Sequence, residues 1–200
     1  MSKSGNRCRI LNERGKLIVI SSSSGGGKST VIKEILKKRP ELIFSVSATT
    51  RPPRAGEKDG SDYKFISREE FLKGIEEGRF LEWEEVHGEL YGTERKILED
   101  YVRDGRNVIL DLDVHGGATL RSNYPETLLI FLYPPSPEVL YERLKRRGLN
   151  EDWEIDIRLS RYALEKAKGD KYPYRIINDD LETCIQDVLD VIDGKKEIEV

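Results

Sequence analysis

Two cysteines, Cys8 and Cys184, are all that the 200 residues contain. That is too few for a disulfide framework or a cysteine-ligated metal cluster, and it points to a reduced, intracellular protein. Long apolar runs are missing too. The longest near the N-terminus is Leu17-Ile18-Val19-Ile20, too short for a secretory core segment or a membrane span. A cytoplasmic location with no membrane partner is therefore expected. Neither sign of charge is in excess: 34 basic against 37 acidic residues leave a formal net charge of −3. A general nucleic-acid or anionic-membrane binder needs a basic surplus, so neither partner is expected, although local basic sites are compatible with the balance. Apolar residues are scarce as well, at 37% against about 45–50% in ordinary globular domains.

What is abundant is charge, at 36% of the chain where about 25% is usual. The core must be compact and the surface densely ionic. The length suits one sizeable α/β domain, or one core with a small insert. Short apolar strands are expected at 16–21, 43–46, 107–112, 127–133 and 174–178. Amphipathic helices are expected at 28–38, 93–104, 115–123, 136–147, 155–168 and 181–193. Continuous apolar runs such as Leu128-Leu-Ile-Phe-Leu read as buried parallel strands, and the alternation with helices predicts a parallel sheet covered on both faces. Residues 47–92 break the pattern with prolines, glycines and alternating stretches. They read as an inserted subdomain of short strands with one helix, opened by a capping box at Ser67-Arg-Glu-Glu70. Residues 1–14 read as a polar tail.

The sharpest local signal follows the first strand: Ser21-Ser22-Ser23-Ser24-Gly25-Gly26-Gly27-Lys28-Ser29-Thr30. It resembles the P-loop, G-x-x-x-x-G-K-[ST], in the strand–loop–helix setting that motif requires. Small residues let successive backbone N–H groups turn inward on a polyphosphate, backed by a helix N-terminus. ATP is the expected ligand, with Lys28 spanning its β- and γ-phosphates and Ser29 ligating Mg²⁺. Ser22 stands where the motif has its first glycine. If that position needs positive φ, serine costs about 1–2 kcal/mol there.

Downstream, Arg51 and Arg54 lie three apart in a proline-stiffened loop. Both guanidinium groups can converge on one phosphate, and Tyr63 and Tyr91 offer hydroxyl donors to the same dianion. Asp111 and Asp113 end a buried strand on one face, at the carboxyl edge where phosphate and metal chemistry sits in open α/β sheets. Capping of the next helix by Asp113 is a compatible reading. Arg143 and Arg147 share a helical face one turn apart, with Arg158 following. Taken with Phe80-Leu-Glu-Trp83, Tyr91-Gly-Thr93 and Ile177-Asn-Asp-Asp180, in order from about Gly15 to about Asp193, the sequence resembles the guanylate kinases.

The resemblance implies a P-loop NTPase-type α/β core (15–46 and 93–193), a GMP-binding insert at about 47–92, a lid at about 136–158 and a C-terminal tail at 194–200. It implies that Arg51, Arg54, Tyr63 and Tyr91 grip the phosphate of GMP, with Ser47, Thr93 and Asp113 as further contacts to guanine or its nucleotide. Glu82 is the expected base reader: guanine presents two adjacent donors to one carboxylate, whereas adenine presents a bare acceptor. On strand pattern alone Glu82 is an ordinary outward carboxylate. Asp111 is assigned to the Mg²⁺ shell, and Arg143, Arg147 and Arg158 to the transferring phosphoryl group from the lid. Asn178 is placed near the adenine of ATP. The implied reaction is ATP + GMP to ADP + GDP, with dGMP as a further acceptor, in a monomer or homodimer. The acceptor phosphate is already largely dianionic at neutral pH, so no general base is needed, and His87 and His115 are given no role. Two other readings stay open on the residues: a P-loop kinase for another phosphorylated acceptor such as a ribose bisphosphate, and a non-catalytic protein-binding module of the same fold.

Overall fold

The computed structural model describes residues 14–86, 88–146 and 152–196. Cys8, His87, Arg147 and most of the two tails therefore lie outside the described residues. Chain order begins with β1 (Leu17–Ser22), α1 (Lys28–Lys38), β2 (Ile43–Phe44), β3 (Ala48–Thr49), β4 (Lys64–Phe65), α2 (Arg68–Glu76), β5 (Phe80–Val86) and β6 (Glu89–Glu94). It continues with α3 (Arg95–Arg103), β7 (Val108–Asp111), α4 (Val114–Asn123), β8 (Leu128–Tyr133), α5 (Pro137–Arg146), α6 (Asp152–Gly169), β9 (Tyr174–Ile177) and α7 (Leu181–Ile192).

A five-stranded sheet has the order β2-β7-β1-β8-β9, and its paired strands all run parallel. Side chains alternate across it, so each strand feeds two cores. Ile18 and Ile20 join Ile109, Ile130 and Ile176 under α1 and α7. Leu17 and Val19 join Leu110 and Phe131 under α3 and α4. Ile18, Val19 and Ile20 are fully buried, each worth about 1.5–3 kcal/mol of transfer free energy. The expected α/β sheet with helices on both faces is what forms.

A second sheet, β4-β3-β6-β5, is mixed: β3 and β4 are parallel, and β6 runs antiparallel to both β3 and β5. Its core is Ala48, Phe71, Phe80 and Leu90, with the Phe71 and Phe80 rings stacked at 4.2 Å. Ser67 caps α2 by accepting the Glu70 N–H at 3.1 Å. Gly92 backs directly onto those rings: a Cβ there would lie 2.9 Å from Phe71 and 3.0 Å from Phe80. Some boundaries differ from expectation: the helix expected at 155–168 starts at Asp152, and the strand expected at 43–46 ends at Phe44. The helix expected from residue 93 starts at Arg95, because Thr93 and Glu94 continue the β6 ladder opposite Glu82 and Phe80.

The two sheets place the site. Register pairs Ile20 with Asp111, so the P-loop and the end of β7 emerge side by side. Ser21 fastens them, its hydroxyl donating to the Leu112 carbonyl at 2.8 Å.

Candidate active site

The loop after β1 turns through two left-handed glycines, Gly25 (φ 90) and Gly27 (φ 93). Ser22 is not at a turn position. It is the last residue of β1, paired with Leu132, so the serine in place of the motif's first glycine carries no left-handed strain. Gly25 is also constrained by packing, since a Cβ would meet Leu140 at 2.8 Å and Leu144 at 3.1 Å. Gly27 is the N-cap of α1 and gives no side-chain cap bond. Ser29 and Thr30 follow, exposed on the first turn. Uncapped N–H groups at a helix start are an anion cradle. Ser23 lies beneath, buried at 2% exposure.

Lys28 crosses to β7. Its Nζ pairs with Asp111 Oδ1 at 2.5 Å and donates to the Leu112 carbonyl at 3.0 Å. Ser29 and Asp111 line one cavity of about 780 Å³, together with Ser47, Glu57 and Tyr63. A hydroxyl and a carboxylate facing a phosphate cradle suit Mg²⁺, which takes hard oxygen ligands and uses one or two protein groups plus substrate phosphates. Among the described residues no group of three or more His, Cys, Asp or Glu is placed to hold a metal ion.

A second cavity of about 310 Å³ is lined by Ser47, Arg51, Arg54, Tyr63, Glu82, Tyr91 and Asp113, with Glu57 and Glu84. It shares Ser47, Glu57, Tyr63 and Asp111 with the first, so the two form one cleft. Arg51 is held by Glu57 in a two-pronged pair, at 2.8 and 3.0 Å. Glu57 also accepts the Arg54 N–H at 2.7 Å, and so organises both arginines. These bonds push the Arg51 guanidinium further up and hold the Glu57 carboxyl below its ordinary range. The Arg51 guanidinium sits 5.3 Å from the Tyr63 ring, and Tyr63 meets Tyr91 edge-on at 6.0 Å. Burial raises the Tyr63 hydroxyl, keeping it a neutral donor.

At the other end of the cavity, Glu82 accepts the Thr93 hydroxyl at 2.5 Å. Burial pushes its carboxyl up, the Thr93 bond opposes this, and the Asp113 charge adds to it. Asp113 caps α4, accepting the His115 and Gly116 N–H groups through Oδ1 at 2.9 and 2.7 Å. The first turn of α4 closes this end: a Cβ on Gly116 would lie 3.3 Å from Glu82 Oε2.

The α5–α6 pair has its own small core of Leu140, Leu144 and Ile155 and reaches the P-loop. Arg143 donates to the Asn178 carbonyl at 2.9 Å, and Arg158 donates to Ser24 Oγ at 2.5 Å. Asn178, expected near the adenine of ATP, is buried under the loop. Its amide donates to the Gly26 carbonyl at 2.8 Å and fills the space that a Gly27 side chain would need. His115 contacts Lys168 in a separate cavity behind α4.

Three carboxylates escaped the sequence reading. Glu57 and Glu84 line the smaller cavity. Glu165, on α6, is raised by burial, with the Ser24 backbone of the P-loop opposing the shift; its Oε2 is buried with no hydrogen-bond partner. The Glu82-Trp-Glu84 alternation was the available signal for Glu84.

A guanylate kinase family model matches residues 14–195. The chain is 42% identical over 183 residues to the guanylate kinase of Thermotoga maritima, covering 92% of this chain and 88% of the relative. It is 43% identical over 184 residues to that of Carboxydothermus hydrogenoformans, covering 92% and 90%. The crystal structure of guanylate kinase from Anaplasma phagocytophilum superposes with a TM-score of 0.74 at 34% identity, covering 92% of this chain and 87% of that one. With a phosphate cradle, a facing nucleotide-sized cleft and this likeness along nearly the whole chain, the protein belongs to the guanylate kinase family and phosphorylates GMP to GDP, using ATP.

Proposed function

We propose that the P-loop and the smaller cavity divide the reaction between them. ATP phosphates lie in the cradle of Ser22 to Thr30, and GMP lies against the second sheet. In this reading Arg51, Arg54, Tyr63 and Tyr91 hold the GMP phosphate, while Glu82 and Thr93 read guanine, with Ser47 and Asp113 as further contacts. The observation that carries it is the smaller cavity: seven residues from separate stretches of the chain line one wall beside Lys28 and Asp111. The insert about 47–92 is then the acceptor-binding unit, and 136–158 the lid.

The chemistry asks for positioning and charge neutralisation more than for proton transfer. The GMP phosphate attacks as a dianion, so the site needs no general base. Lys28, released from Asp111, follows the charge on the transferring phosphoryl group. Arg51 holds the attacking phosphate in line, and Arg143 and Arg158 reach the same point from the lid; Arg147, given the same role from the sequence, lies outside the described residues. Ser29 and Asp111 would hold Mg²⁺, whose chemistry is to neutralise the phosphate oxygens. Asn178 acts through the loop it supports. Closure of insert and lid excludes the water that would otherwise hydrolyse ATP. A cytoplasmic location belongs to the same reading, and the buried free thiol of Cys184 is compatible with a reducing compartment.

The test is ADP release with GMP, AMP, UMP and sugar phosphates as acceptors, in the wild type and in Lys28→Ala. The expected result is a strong GMP preference, with turnover abolished in Lys28→Ala while calorimetry still detects GMP binding. Normal turnover in that variant would overturn the cradle assignment.

A further inference from the structure

Asp111 and Asp113, the carboxylates that reach the cleft from the end of β7, flank a stretch of backbone that is gripped from behind. Ser21 Oγ donates to the Leu112 carbonyl at 2.8 Å, and the Asp113 carbonyl stands 3.3 Å from the same oxygen. Behind Ser21 lies the Tyr172 hydroxyl, 3.2 Å from Ser21 Oγ and 3.5 Å from the Val114 carbonyl. Three consecutive carbonyls thus converge on two hydroxyls. Both residues are buried, Ser21 fully and Tyr172 at 5% exposure, where leaving a polar group unpaired is costly. Neither lines the two cavities of the cleft. The Tyr172 ring is held independently of its hydroxyl. It follows α6, its N–H donating to the Gly169 carbonyl at 2.8 Å, and it meets Phe131 edge-on at 5.9 Å.

The direction of these bonds follows from the hydrogens available. A serine hydroxyl has one hydrogen and two lone pairs. Ser21 commits its hydrogen to Leu112, so the bond between the two hydroxyls runs from Tyr172 to Ser21. Burial pushes the Tyr172 hydroxyl up to about 12, and it keeps its hydrogen at neutral pH. The Leu112 carbonyl has a second lone pair, which takes Lys28 Nζ at 3.0 Å. The bonds therefore run in series from Tyr172 through Ser21 and Leu112 to Lys28. The position of the first member leaves no room for a side chain opposite it: a Cβ on Gly117 would lie 2.2 Å from the Tyr172 oxygen. We infer that Tyr172 is a positioning residue for phosphoryl transfer, setting through Ser21 and the Leu112 carbonyl where Lys28 and the flanking Asp111 and Asp113 stand. This rests on the roles proposed above for those three residues. In-line transfer is sensitive to such placement, since a shift of about 1 Å can cost about a hundredfold in rate.

The experiment measures kcat and the KM values for ATP and GMP in the wild type, Tyr172→Phe, Ser21→Ala, the double variant and Lys28→Ala, well below the melting temperature of each. Tyr172→Phe removes the hydroxyl and keeps the ring. Each single variant of the hydroxyl pair should lower kcat by about three- to tenfold, the range of one lost hydrogen bond. Both KM values should stay within about twofold of wild type, the pattern of an interaction felt in the transition state. The double variant should fall no further than the worse single one, because bonds in series fail together. If Lys28→Ala is inactive but Tyr172→Phe melts lower and still turns over at the wild-type rate, Tyr172 only supports the fold and the inference is wrong. A double variant whose loss is the product of the two single losses would likewise break the series. Normal turnover in Lys28→Ala would instead remove the cradle assignment, and the positioning role with it.

Discussion

Replacing Glu82 by glutamine should separate base recognition from folding, because the two respond with opposite signs. In the proposed site one carboxylate oxygen takes the Thr93 hydroxyl at 2.5 Å, and the carboxylate as a whole accepts the two adjacent guanine donors. Hydrogen bonds to a charged acceptor are worth about 1.5–3 kcal/mol each. Two of them correspond to roughly a hundredfold to ten-thousandfold in kcat/KM. Glutamine keeps one acceptor and turns the other into a donor facing a donor. Glu82→Gln should therefore lose about a hundredfold or more in kcat/KM for GMP, and the GMP-to-AMP ratio should shrink by at least about tenfold.

Stability should move the other way. Burial raises the Glu82 carboxyl above its ordinary value. A carboxyl whose folded value is raised contributes stability below the unfolded value and loses it as pH rises through the folded one. Once ionised, Glu82 is therefore a burden to the fold when no nucleotide is bound. Glutamine removes that charge and still accepts from Thr93. The variant should melt at the wild-type temperature or above it in the absence of nucleotide, more clearly at pH 8 than at pH 5. The assays are coupled ADP release with GMP and AMP, and thermal melts at both pH values. An unchanged GMP-to-AMP ratio would refute base reading by Glu82, and a melting point several degrees below wild type would refute the electrostatic account.

Gly92→Ala places a methyl group against Phe71 and Phe80 at 2.9 and 3.0 Å. Overpacking of this kind costs about 1–3 kcal/mol, so the urea midpoint should fall and KM for GMP should rise, because Tyr91 and Thr93 flank the displaced residue. An unaltered midpoint would show that the ring pair yields freely. Glu84 is pushed up to about 7, by burial first and then by Asp113 and Glu82. Its contribution to stability should be full below the ordinary carboxylate value of 4.5 and lost as pH rises through about 7. Urea unfolding of wild type and Glu84→Gln should thus show the variant gaining on the wild type between those values, and a flat difference would contradict the placement of Glu84 among like charges.

The core was legible because its signals are local. The apolar runs of β1 and β8 are period-free and short, and the glycines before Lys28 announce a loop that ends in a helix. The second sheet was legible only as a departure from that pattern. Its strands β3 and β4 are two residues long, too short for any periodicity, and exist because partner strands supply their hydrogen bonds. Strand β5 defeats polarity reasoning outright: Glu82 and Glu84 face a cavity while Trp83 faces water, the reverse of apolar-in and polar-out. Glu57 and Glu165 look like two more surface acids in a chain rich in them. Only folding shows that one grips Arg51 and the other meets the P-loop backbone at Ser24.

Those acids change how the ionic composition is understood. Four cations of the cleft have a protein partner in the structure: Lys28 has Asp111, Arg51 has Glu57, Arg143 has the Asn178 carbonyl and Arg158 has the Ser24 hydroxyl. At these four a nucleotide phosphate does not meet bare charge; it exchanges one partner for another. Such a cleft draws less on long-range attraction, in keeping with a net charge of only −3, and more on the geometry of the exchange. Selectivity follows from the same arrangement. In the proposed site a phosphate alone must displace Glu57 from Arg51 with nothing gained elsewhere, whereas GMP also brings guanine donors to Glu82, which shares its cavity with Glu84 and Asp113. The ligand that relieves the acidic end of the cavity is the one that can best compete at its basic end.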